Sequence, residues 1–389
     1  MRILLVIPSL GSGGGAERSL IESVPELRAR GIDVAIAQFL RRPHEEQEVV
    51  LTRMGARIHD LHATTPSRRV ASLRRVIEAE RPDIVHTSLF DADVAGRLAT
   101  RATRPEHRPR VLTSLVNTSY DPARGRDPRV RPWRLRLVRR VDGWTARHLT
   151  DHFHAITHAV KADAVRSLGI QPERVTVIER GRDRARLGHW SKERRSRARE
   201  GLGIAPDAPV IVTVGRQEYQ KGQTYLIAAF ERVAKEYPEA LLLLAGRRGY
   251  ESGAIDAAIA RSKFGDRIRS LGHRDDLPDV LAACDIFAFP SLYEGLGGAV
   301  IEAMALGLPV VSSDLPAVRE VVEDGASALL VPRADKSAMG SALLRLVDDR
   351  EMRHRFGARG QELFDTRFTL DQSIDRTVAL YEGLLTRSA

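Results

Sequence analysis

Cysteine is almost absent from the sequence. Cys284 is the single cysteine in 389 residues, and it lies in the apolar run LAACDIFAF. No disulfide and no cysteine-rich metal site can form within the chain, which fits a reducing cytoplasm. Long apolar runs are absent as well, since none approaches the about 20 residues that a membrane-spanning helix needs. The opening MRILLVIPS has one arginine and a short apolar run followed by glycines, which is typical of a first strand rather than of a signal peptide. We therefore expect a cytoplasmic protein.

Aromatic residues are also few, at 5% of the chain. The sequence has no zinc-finger spacing, no aromatic RNA-binding signature and no helix-turn-helix pattern, so we expect no nucleic-acid partner. The net charge of +10 is nevertheless uneven, because residues 1–185 carry 33 Lys and Arg against 22 Asp and Glu, and the remainder carries 28 against 29. Two interpretations stay open. One is drift in an arginine-rich chain, and the other is contact of the first half with an anionic membrane surface or a phosphorylated substrate.

Strands and helices are predicted to alternate along the chain. Apolar runs of strand length, such as residues 3–7 and Val210–Val214, are each followed by a glycine-containing turn and a helical pattern. This order predicts an α/β fold with parallel sheets buried on both faces. The length and the 43% of apolar residues suit two domains. We expect doubly wound, Rossmann-like domains over residues 1–185 and 186–370 that face a central cleft, with the charged segment 182–200 as the linker into a helix.

The glycine-rich segment GSGGGAER, residues 11–18, follows the first predicted strand. Gly14 and Gly15 lack side chains, so a phosphate can approach the backbone and the N-terminus of the next helix. A tight turn without a ligand is the alternative interpretation. The segment also matches the dinucleotide pattern G-x-G-x-x-A, but that site needs an acidic residue at the end of the second strand, where Arg41 and Arg42 stand. An NADP-dependent oxidoreductase stays an alternative.

Two cations follow the strand predicted at Val210–Val214. Arg216 and Lys221 stand just beyond it, and Gly222 opens the next predicted helix. Because the carboxyl ends of strands are where this fold binds ligands, we expect both side chains at a site rather than in bulk solvent. Their chemistry suits the stabilisation of negative charge on a departing diphosphate.

Two carboxylates, Glu294 and Glu302, are separated by seven residues and flank a glycine-rich turn that opens a predicted helix. A carboxylate accepts hydrogen bonds from two neighbouring hydroxyls, which suits Glu302 to a ribose and Glu294 to a sugar. The N–H groups of the turn suit a phosphate or a sugar. With the two upstream cations, this set suits a sugar joined through a diphosphate to a nucleoside. The turn residues are Gly295, Leu296, Gly297 and Gly298.

Two further patterns are charged. Asp91 and Asp93 form an Asp-x-Asp at the start of a predicted helix, where acids complement the helix dipole, so we expect no metal and no other cofactor. Residues 129–144 combine six arginines with Trp133 and Trp144. This segment predicts either a basic amphipathic helix on the inner face of a membrane, where the protein would be peripheral, or a helix that packs on its own domain.

On these residues the sequence resembles the family 4 retaining glycosyltransferases of the GT-B fold. The resemblance extends from GGAER at 14–18 to YEGLL at 381–385, and it is strongest over VGRQEYQKG and PSLYEGLGGAVIEAMALGLPVV. It implies that Arg216 and Lys221 hold the diphosphate, that Glu294 holds the donor sugar and that Glu302 holds the ribose. It also implies that His273 and Arg274 lie next to the base of the nucleotide. A C-terminal helix over residues 371–389 is expected to cross back to the first domain.

The first domain departs from the family pattern at two places. Val116 stands where many members carry a histidine, and Arg180 replaces the amide of the common asparagine–glycine turn. We therefore expect other side chains to line the acceptor side, and the extra charge of Arg180 indicates an anionic ligand. The acceptor candidates are Arg18, Asn117, Tyr120 and His158.

These observations predict transfer of a sugar, with retained anomeric configuration, from a nucleoside-diphosphate sugar to an acceptor. The resemblance favours a UDP-sugar over a GDP-sugar, an anionic or lipid-linked acceptor, and catalysis by Arg216, Lys221 and Glu294 without a metal. Two alternatives besides the oxidoreductase stay open. One is a sugar-nucleotide epimerase of the same architecture, and the other is a non-catalytic sugar-nucleotide-binding protein.

Overall fold

The chain divides into two compact units. The computed structural model describes residues 1–11, 14–41 and 46–386, without the side chains of residues 46, 47 and 49. Unit 1 comprises Met1–Gly181 and Leu370–Ala389, and unit 2 comprises Arg182–Thr369. Gly13 and Arg42, which belong to the oxidoreductase alternative, lie outside the described residues.

Unit 1 contains a sheet of seven parallel strands. In chain order they are β1 Arg2–Ile7, β2 Asp33–Gln38, β3 Arg57–Asp60, β4 Ile84–Ser88, β5 Arg110–Leu115, β6 His152–Ala155 and β7 Val175–Val177. Across the sheet the order is β3-β2-β1-β4-β5-β6-β7. The order turns back at β1, whose apolar run is buried because helices cover both faces. The helices are α1 Gly15–Ala29, α2 Glu46–Arg53, α3 Pro66–Glu80, α4 Phe90–Ala102, α5 Pro132–Leu149 and α6 His158–Leu168.

Unit 2 repeats this architecture with six parallel strands. They are β8 Val210–Val214, β9 Leu241–Ala245, β10 Ile268–Gly272, β11 Ile286–Phe289, β12 Val310–Ser313 and β13 Ala328–Val331. The order across the sheet is β10-β9-β8-β11-β12-β13. The helices are α7 Arg184–Leu187, α8 Lys192–Gly201, α9 Gln223–Glu236, α10 Ser252–Arg261, α11 Leu277–Ala282, α12 Gly298–Ala305, α13 Pro316–Arg319, α14 Lys336–Asp348 and α15 Arg350–Arg367. The predicted α/β class with two doubly wound sheets is confirmed.

The segment 182–200, expected as the linker, is largely helical and belongs to unit 2. α8 has no apolar face, and arginine side chains attach it to the rest of unit 2 by hydrogen bonds instead. Arg199 is 3% exposed, and its guanidinium donates to the carbonyl of Ala283 and to the carboxylate of Asp285 across 2.9 and 2.8 Å. Apolar periodicity therefore could not identify this attachment.

The last helix, α16 Leu370–Thr386, belongs to unit 1 and packs on its sheet through a buried polar chain. The Tyr381 hydroxyl is hydrogen-bonded to Nδ1 of His86 at 2.7 Å. Nε2 of His86 lies 2.7 Å from Oγ of Ser114, which lies 3.2 Å from Nδ1 of His154. Burial lowers the pKa of both histidines, that of His154 to about 4. Among the described helices, none combines the length and the apolar composition needed to cross a membrane.

Candidate functional site

Arg216 and Lys221 lie in the loop between β8 and α9, as the sequence predicts. Gly222 caps α9 with φ +62°, and a Cβ at this position would lie 2.2 Å from the carbonyl oxygen of Pro290. Only glycine fits there. The loop therefore packs directly against the chain that follows β11, which carries Glu294.

Lys221 and Glu294 meet in this packing. Nζ of Lys221 lies 2.5 Å from Oε1 of Glu294, and the hydroxyl of Ser291 donates to the same oxygen across 2.9 Å. Nζ also lies 5.5 Å from the ring centroid of Phe289, the last residue of β11. Two predicted site residues that are 73 positions apart are thus joined in a charge-assisted hydrogen bond.

Arg216 is exposed, and its backbone is held in place by hydrogen bonds from a neighbouring side chain. The side chain of Gln223 donates from Nε2 to the carbonyls of Gly215 and Arg216 across 3.1 and 3.4 Å. Gly246, at the end of β9, leaves room for the carbonyl of Gly215, since a Cβ there would lie 2.0 Å from that oxygen. Sequence reasoning missed Gln223, because a buried amide in the first turn of a helix has no local signature.

The glycine-rich turn leads into α12. Gly295, Leu296 and Gly297 are buried, and Gly297 takes φ +92° as the N-cap of the helix. The first N–H groups of a helix have no intrahelical partner, and the helix dipole is positive at this end. The turn therefore connects Glu294 directly to the N-terminus of α12, which is the kind of helix end that binds anions.

Glu302 lies inside α12 and is 3% exposed. Its Oε1 accepts a hydrogen bond from Nε of Arg182 across 2.9 Å, and the Arg182 side chain is 6% exposed. A guanidinium nitrogen of Arg186 lies 3.9 Å from the same oxygen. A Cβ on Gly298 would lie 1.9 Å from a terminal nitrogen of Arg182, so a side chain at this position would collide with the guanidinium. Arg182 thus orients the carboxylate predicted to hold a ribose.

Sequence reasoning missed Arg182. Its segment, ERGRD, stands out only by its positive charge, and from the sequence that charge is expected to act through Arg180. The partner of Arg182 lies 120 positions further on, so no local pattern joins the two residues.

His273 and Arg274 follow β10. Both are paired with nearby acids, since Nε2 of His273 lies 3.3 Å from Asp275 and Nε of Arg274 donates to Asp276 across 2.7 Å. The sheet order β10-β9-β8-β11 places the ends of these strands on one edge. The donor candidates of unit 2 therefore follow the carboxyl ends of neighbouring strands, where doubly wound sheets bind ligands.

The phosphate candidates of unit 1 lie at the N-terminus of α1, where Gly14 is the N-cap and Gly15 the first helical residue. The carboxylate of Glu17 covers this end, because a Cβ on Gly14 would lie 2.0 Å from its Oε2. A phosphate that approaches the N-terminus of α1 therefore meets the Glu17 carboxylate, which has to move aside first. Arg18, one position on, donates from Nε to Glu22 across 3.2 Å.

The acceptor candidates follow β5 and β6, which are neighbours in the sheet. Oδ1 of Asn117 is buried and has no hydrogen-bond partner in the described part of the chain. His158 is exposed as the first residue of α6. The hydroxyl of Tyr120 donates to Asp142 across 2.9 Å, and burial raises its pKa. Asp142 is in turn held by Arg97 at 2.7 Å. Asn117 thus offers an unused acceptor atom, whereas the Tyr120 hydroxyl is engaged within unit 1.

The two acids of the Asp-x-Asp pattern are held apart. The exposed carboxylate of Asp91 pairs with Arg69 at 3.0 Å, whereas Asp93 is buried and its pKa is raised to about 7 by that burial. In the described part of the chain, no three His, Cys, Asp or Glu side chains are grouped as metal ligands would be.

Two family profiles match the chain. The profile for glycosyltransferase family 4 matches residues 13–186, and the profile for group 1 glycosyl transferases matches residues 208–349. Together the two matches span most of the chain.

Characterised proteins resemble it over most of their length. The alpha-maltose-1-phosphate synthase of Mycolicibacterium smegmatis is 28% identical, over 80% of this chain and 81% of that protein. The D-inositol 3-phosphate glycosyltransferase of Corynebacterium kroppenstedtii is 27% identical, over 97% of this chain and 87% of that protein. Among solved structures, Anabaena HepE in complex with UDP and glucose superposes with a TM-score of 0.83 at 23% identity, over 97% of this chain and 99% of HepE.

Proposed function

Because the chain belongs to glycosyltransferase family 4 and has the GT-B fold, we propose that it transfers a sugar from a UDP-sugar to an anionic or lipid-linked acceptor. The observation that carries this proposal is the contact between Lys221 and Glu294 beside the N-terminus of α12. A cation, a carboxylate and helix N–H groups lie together there, which suits a diphosphate bonded to a sugar. The complex of the similarly folded HepE with UDP supports UDP over GDP.

Arg216, Lys221 and the N–H groups of residues 295–298 hold the diphosphate. Their task is electrostatic, because negative charge builds on the diphosphate as its bond to the sugar breaks. The ammonium group of Lys221 has three donors. It therefore keeps its contact with Glu294 while it donates to a phosphate oxygen.

Glu294 holds the donor sugar. Oε1 accepts hydrogen bonds from Lys221 and Ser291, and a carboxylate can accept several hydrogen bonds at once, including those of sugar hydroxyls. The positive charge of Lys221 offsets the repulsion between the Glu294 carboxylate and an anionic substrate. The two residues thus bind the sugar and its phosphate as one unit.

Glu302 and the turn at 272–274 hold the nucleoside. Arg182 engages Oε1 of Glu302, so the carboxylate is fixed in one orientation before a ribose arrives. His273 and Arg274 lie on the same edge of the sheet and border the base.

Transfer proceeds on one face of the sugar and retains the anomeric configuration. A bond forms between the acceptor hydroxyl oxygen and the anomeric carbon while the bond from that carbon to the diphosphate oxygen breaks. The proton of the hydroxyl passes to the departing diphosphate. The protein supplies positioning and positive charge, and with Arg216, Lys221 and the α12 N-terminus in place the mechanism needs no metal.

The acceptor binds to unit 1 through Arg18, Asn117 and His158, and it lies beside Tyr120, whose hydroxyl stays on Asp142. The charge of Arg180 favours an anionic group. The buried Oδ1 of Asn117 supports this assignment, since it has no hydrogen-bond partner among the residues that the structure describes. The names of the two relatives, which specify maltose-1-phosphate and inositol 3-phosphate, support a phosphorylated acceptor.

Incubation with a panel of UDP- and GDP-sugars, with and without phosphorylated sugars and polyols, tests this function. Acceptor-dependent release of UDP, with a product whose anomeric proton coupling matches the donor, is the expected result. Isomerised donor without acceptor would instead indicate the epimerase. Donor binding without any turnover across the panel would indicate the non-catalytic binding protein.

A further inference from the structure

The outward side of α5 carries an apolar stripe. The exposed fractions range from 40% to 58% for Trp133, Leu137, Val141 and Trp144. At about 100° per residue these positions fall within about 80° of the helix circumference, along about three turns. Ten large apolar side chains are exposed in the described part of the chain, and four of them lie on this helix. A contiguous stripe of this kind marks an interaction surface.

Arginines flank the stripe on both sides. Arg134 lies on one flank, with its guanidinium carbon 5.3 Å from the ring centroid of Trp133. Arg136 and Arg140 are exposed on the other flank, one turn apart. The single acid of the helix, Asp142, lies on its buried side. We name these seven residues, the four of the stripe and these three arginines, the α5 outer face.

The opposite side of α5 is fixed to unit 1. Asp142 accepts a hydrogen bond from Arg97 across 2.7 Å, and Oγ1 of Thr145 accepts one from the same nitrogen across 3.0 Å. The guanidinium of Arg147 donates to the carbonyl of Leu168 across 2.6 Å. Rolling the apolar stripe into the core would break these buried contacts. The helix is therefore held with its stripe outward.

We infer that the α5 outer face binds the surface of a membrane that contains anionic lipids. Tryptophan side chains prefer the boundary between headgroups and acyl chains, and arginines are attracted to anionic headgroups. A helix with this division lies in the plane of the interface. A second copy of the chain fits less well, because an isologous contact would bring the same positive flanks together.

Docking through α5 brings unit 1, which carries the acceptor candidates, to the lipid surface. Unit 1 would then bind a lipid-linked acceptor at the membrane surface in which that acceptor is anchored. This consequence rests on the proposed function, whereas the membrane contact itself does not.

Sedimentation of the full chain with vesicles tests the inference. We expect the protein to pellet with vesicles of phosphatidylcholine and phosphatidylglycerol at about 7:3, and to pellet less with pure phosphatidylcholine or in about 0.5 M salt. Changing Arg134, Arg136 and Arg140 to Glu should lower the partition coefficient by about tenfold or more. Trp133→Ala with Trp144→Ala should lower it even in low salt, because the apolar contribution is lost.

Matched controls exist on the same chain. Changing the exposed Arg68, Arg75 and Arg101 of unit 1 to Glu alters the net charge equally but leaves α5 intact. Trp190→Ala removes a tryptophan that is 40% exposed in unit 2. We expect both controls to keep most of the binding, and the triple Arg→Lys variant of α5 to keep it as well. UDP binding to each variant checks folding and the donor site independently.

The inference is overturned if the α5 and control charge variants lose binding equally, or if the wild type does not distinguish anionic from neutral vesicles. It is also overturned if the α5 tryptophan variant changes oligomeric state in sedimentation velocity while vesicle binding is unchanged. That last result would assign the face to a second copy.

Discussion

Arg182 and Glu302 form a buried ion pair in unit 2, with Nε of the arginine 2.9 Å from Oε1 of the glutamate. Both side chains are almost fully enclosed. Burying two charges costs solvation free energy. The attraction between the two side chains offsets this cost, so removing either partner destabilises the fold. The pair links the residue that begins unit 2 to the carboxylate expected to hold the ribose.

Replacement of Arg182 by Met should lower the free energy of unfolding by up to about 3–5 kcal/mol, because the buried charge of Glu302 loses its nearest cation and keeps only more distant partners such as Arg186. UDP binding should weaken as well, since the carboxylate loses its orientation. Urea unfolding and titration with UDP measure the two effects. Adding Glu302→Gln should restore part of the stability but not the binding. Arg186→Met is the matched control, and an equal loss of stability in this variant would contradict the account.

Replacement of Lys221 by Ala should reduce kcat by about 10²–10³-fold, because the diphosphate loses a preorganised cation. Glu294→Gln should also reduce turnover, since the neutral amide no longer attracts Lys221. Steady-state kinetics with the preferred donor measures both changes. Lys235→Ala, an exposed lysine on the following helix, should leave kcat within about twofold. Unchanged turnover in Lys221→Ala would remove this residue from the site.

Two glycines give a matched pair of backbone tests. Gly222→Ala should destabilise the chain by more than about 1 kcal/mol and impair donor binding, because φ is +62° and the new Cβ would meet the Pro290 carbonyl. Gly253, inside α10, has open space where a Cβ would stand. Gly253→Ala should therefore stabilise by up to about 1 kcal/mol. Thermal unfolding distinguishes them, and equal shifts in melting temperature would contradict the predicted packing.

The buried histidines make stability depend on pH. Burial lowers the pKa of His154 to about 4, whereas an unfolded histidine titrates near about 6.5. Between these values only the unfolded chain binds the proton, so this contribution is complete above about pH 6.5 and is lost as the pH falls toward about 4. At about pH 5 the loss is on the order of 2 kcal/mol.

Asp93 has the opposite effect on the pH dependence of stability. Its pKa is raised to about 7, so the folded chain binds the proton more tightly and this group adds stability as the pH falls. The test therefore compares wild type with His154→Gln at about pH 7.5 and about pH 5. The stability advantage of the wild type should shrink at the lower pH by the contribution of His154. An advantage that is the same at both pH values would refute the assignment.

Much of the fold and half of the site could be predicted from local patterns. β1 and β8 are apolar runs of strand length, and the strand–turn–helix alternation alone predicts parallel doubly wound sheets. Lys221 and Glu294 each follow such a strand. Since the carboxyl ends of parallel strands share one edge, their proximity follows from topology without any knowledge of side-chain contacts.

The remaining features depend on contacts between distant positions. Arg182 and Glu302 are far apart in the sequence and come together only when the chain folds. The Tyr120 hydroxyl donates to Asp142, and no pattern in the loop around Tyr120 indicates this partner. The attachment of α8 through Arg199 replaces the apolar face on which helix prediction depends. In each case a hydrogen bond between distant residues determines the structure, and the periodicity of apolar residues does not predict it.

Equilibrium binding of UDP, measured by calorimetry on wild type, Lys221→Ala and Lys235→Ala, shows whether a diphosphate binds at Lys221 and Glu294. We predict that the wild type binds UDP, that Lys235→Ala binds it equally well, and that Lys221→Ala binds it at least about tenfold more weakly, since a charge-assisted contact to phosphate contributes about 1.5–3 kcal/mol. Equal binding by all three proteins would contradict a diphosphate site at Lys221 and Glu294.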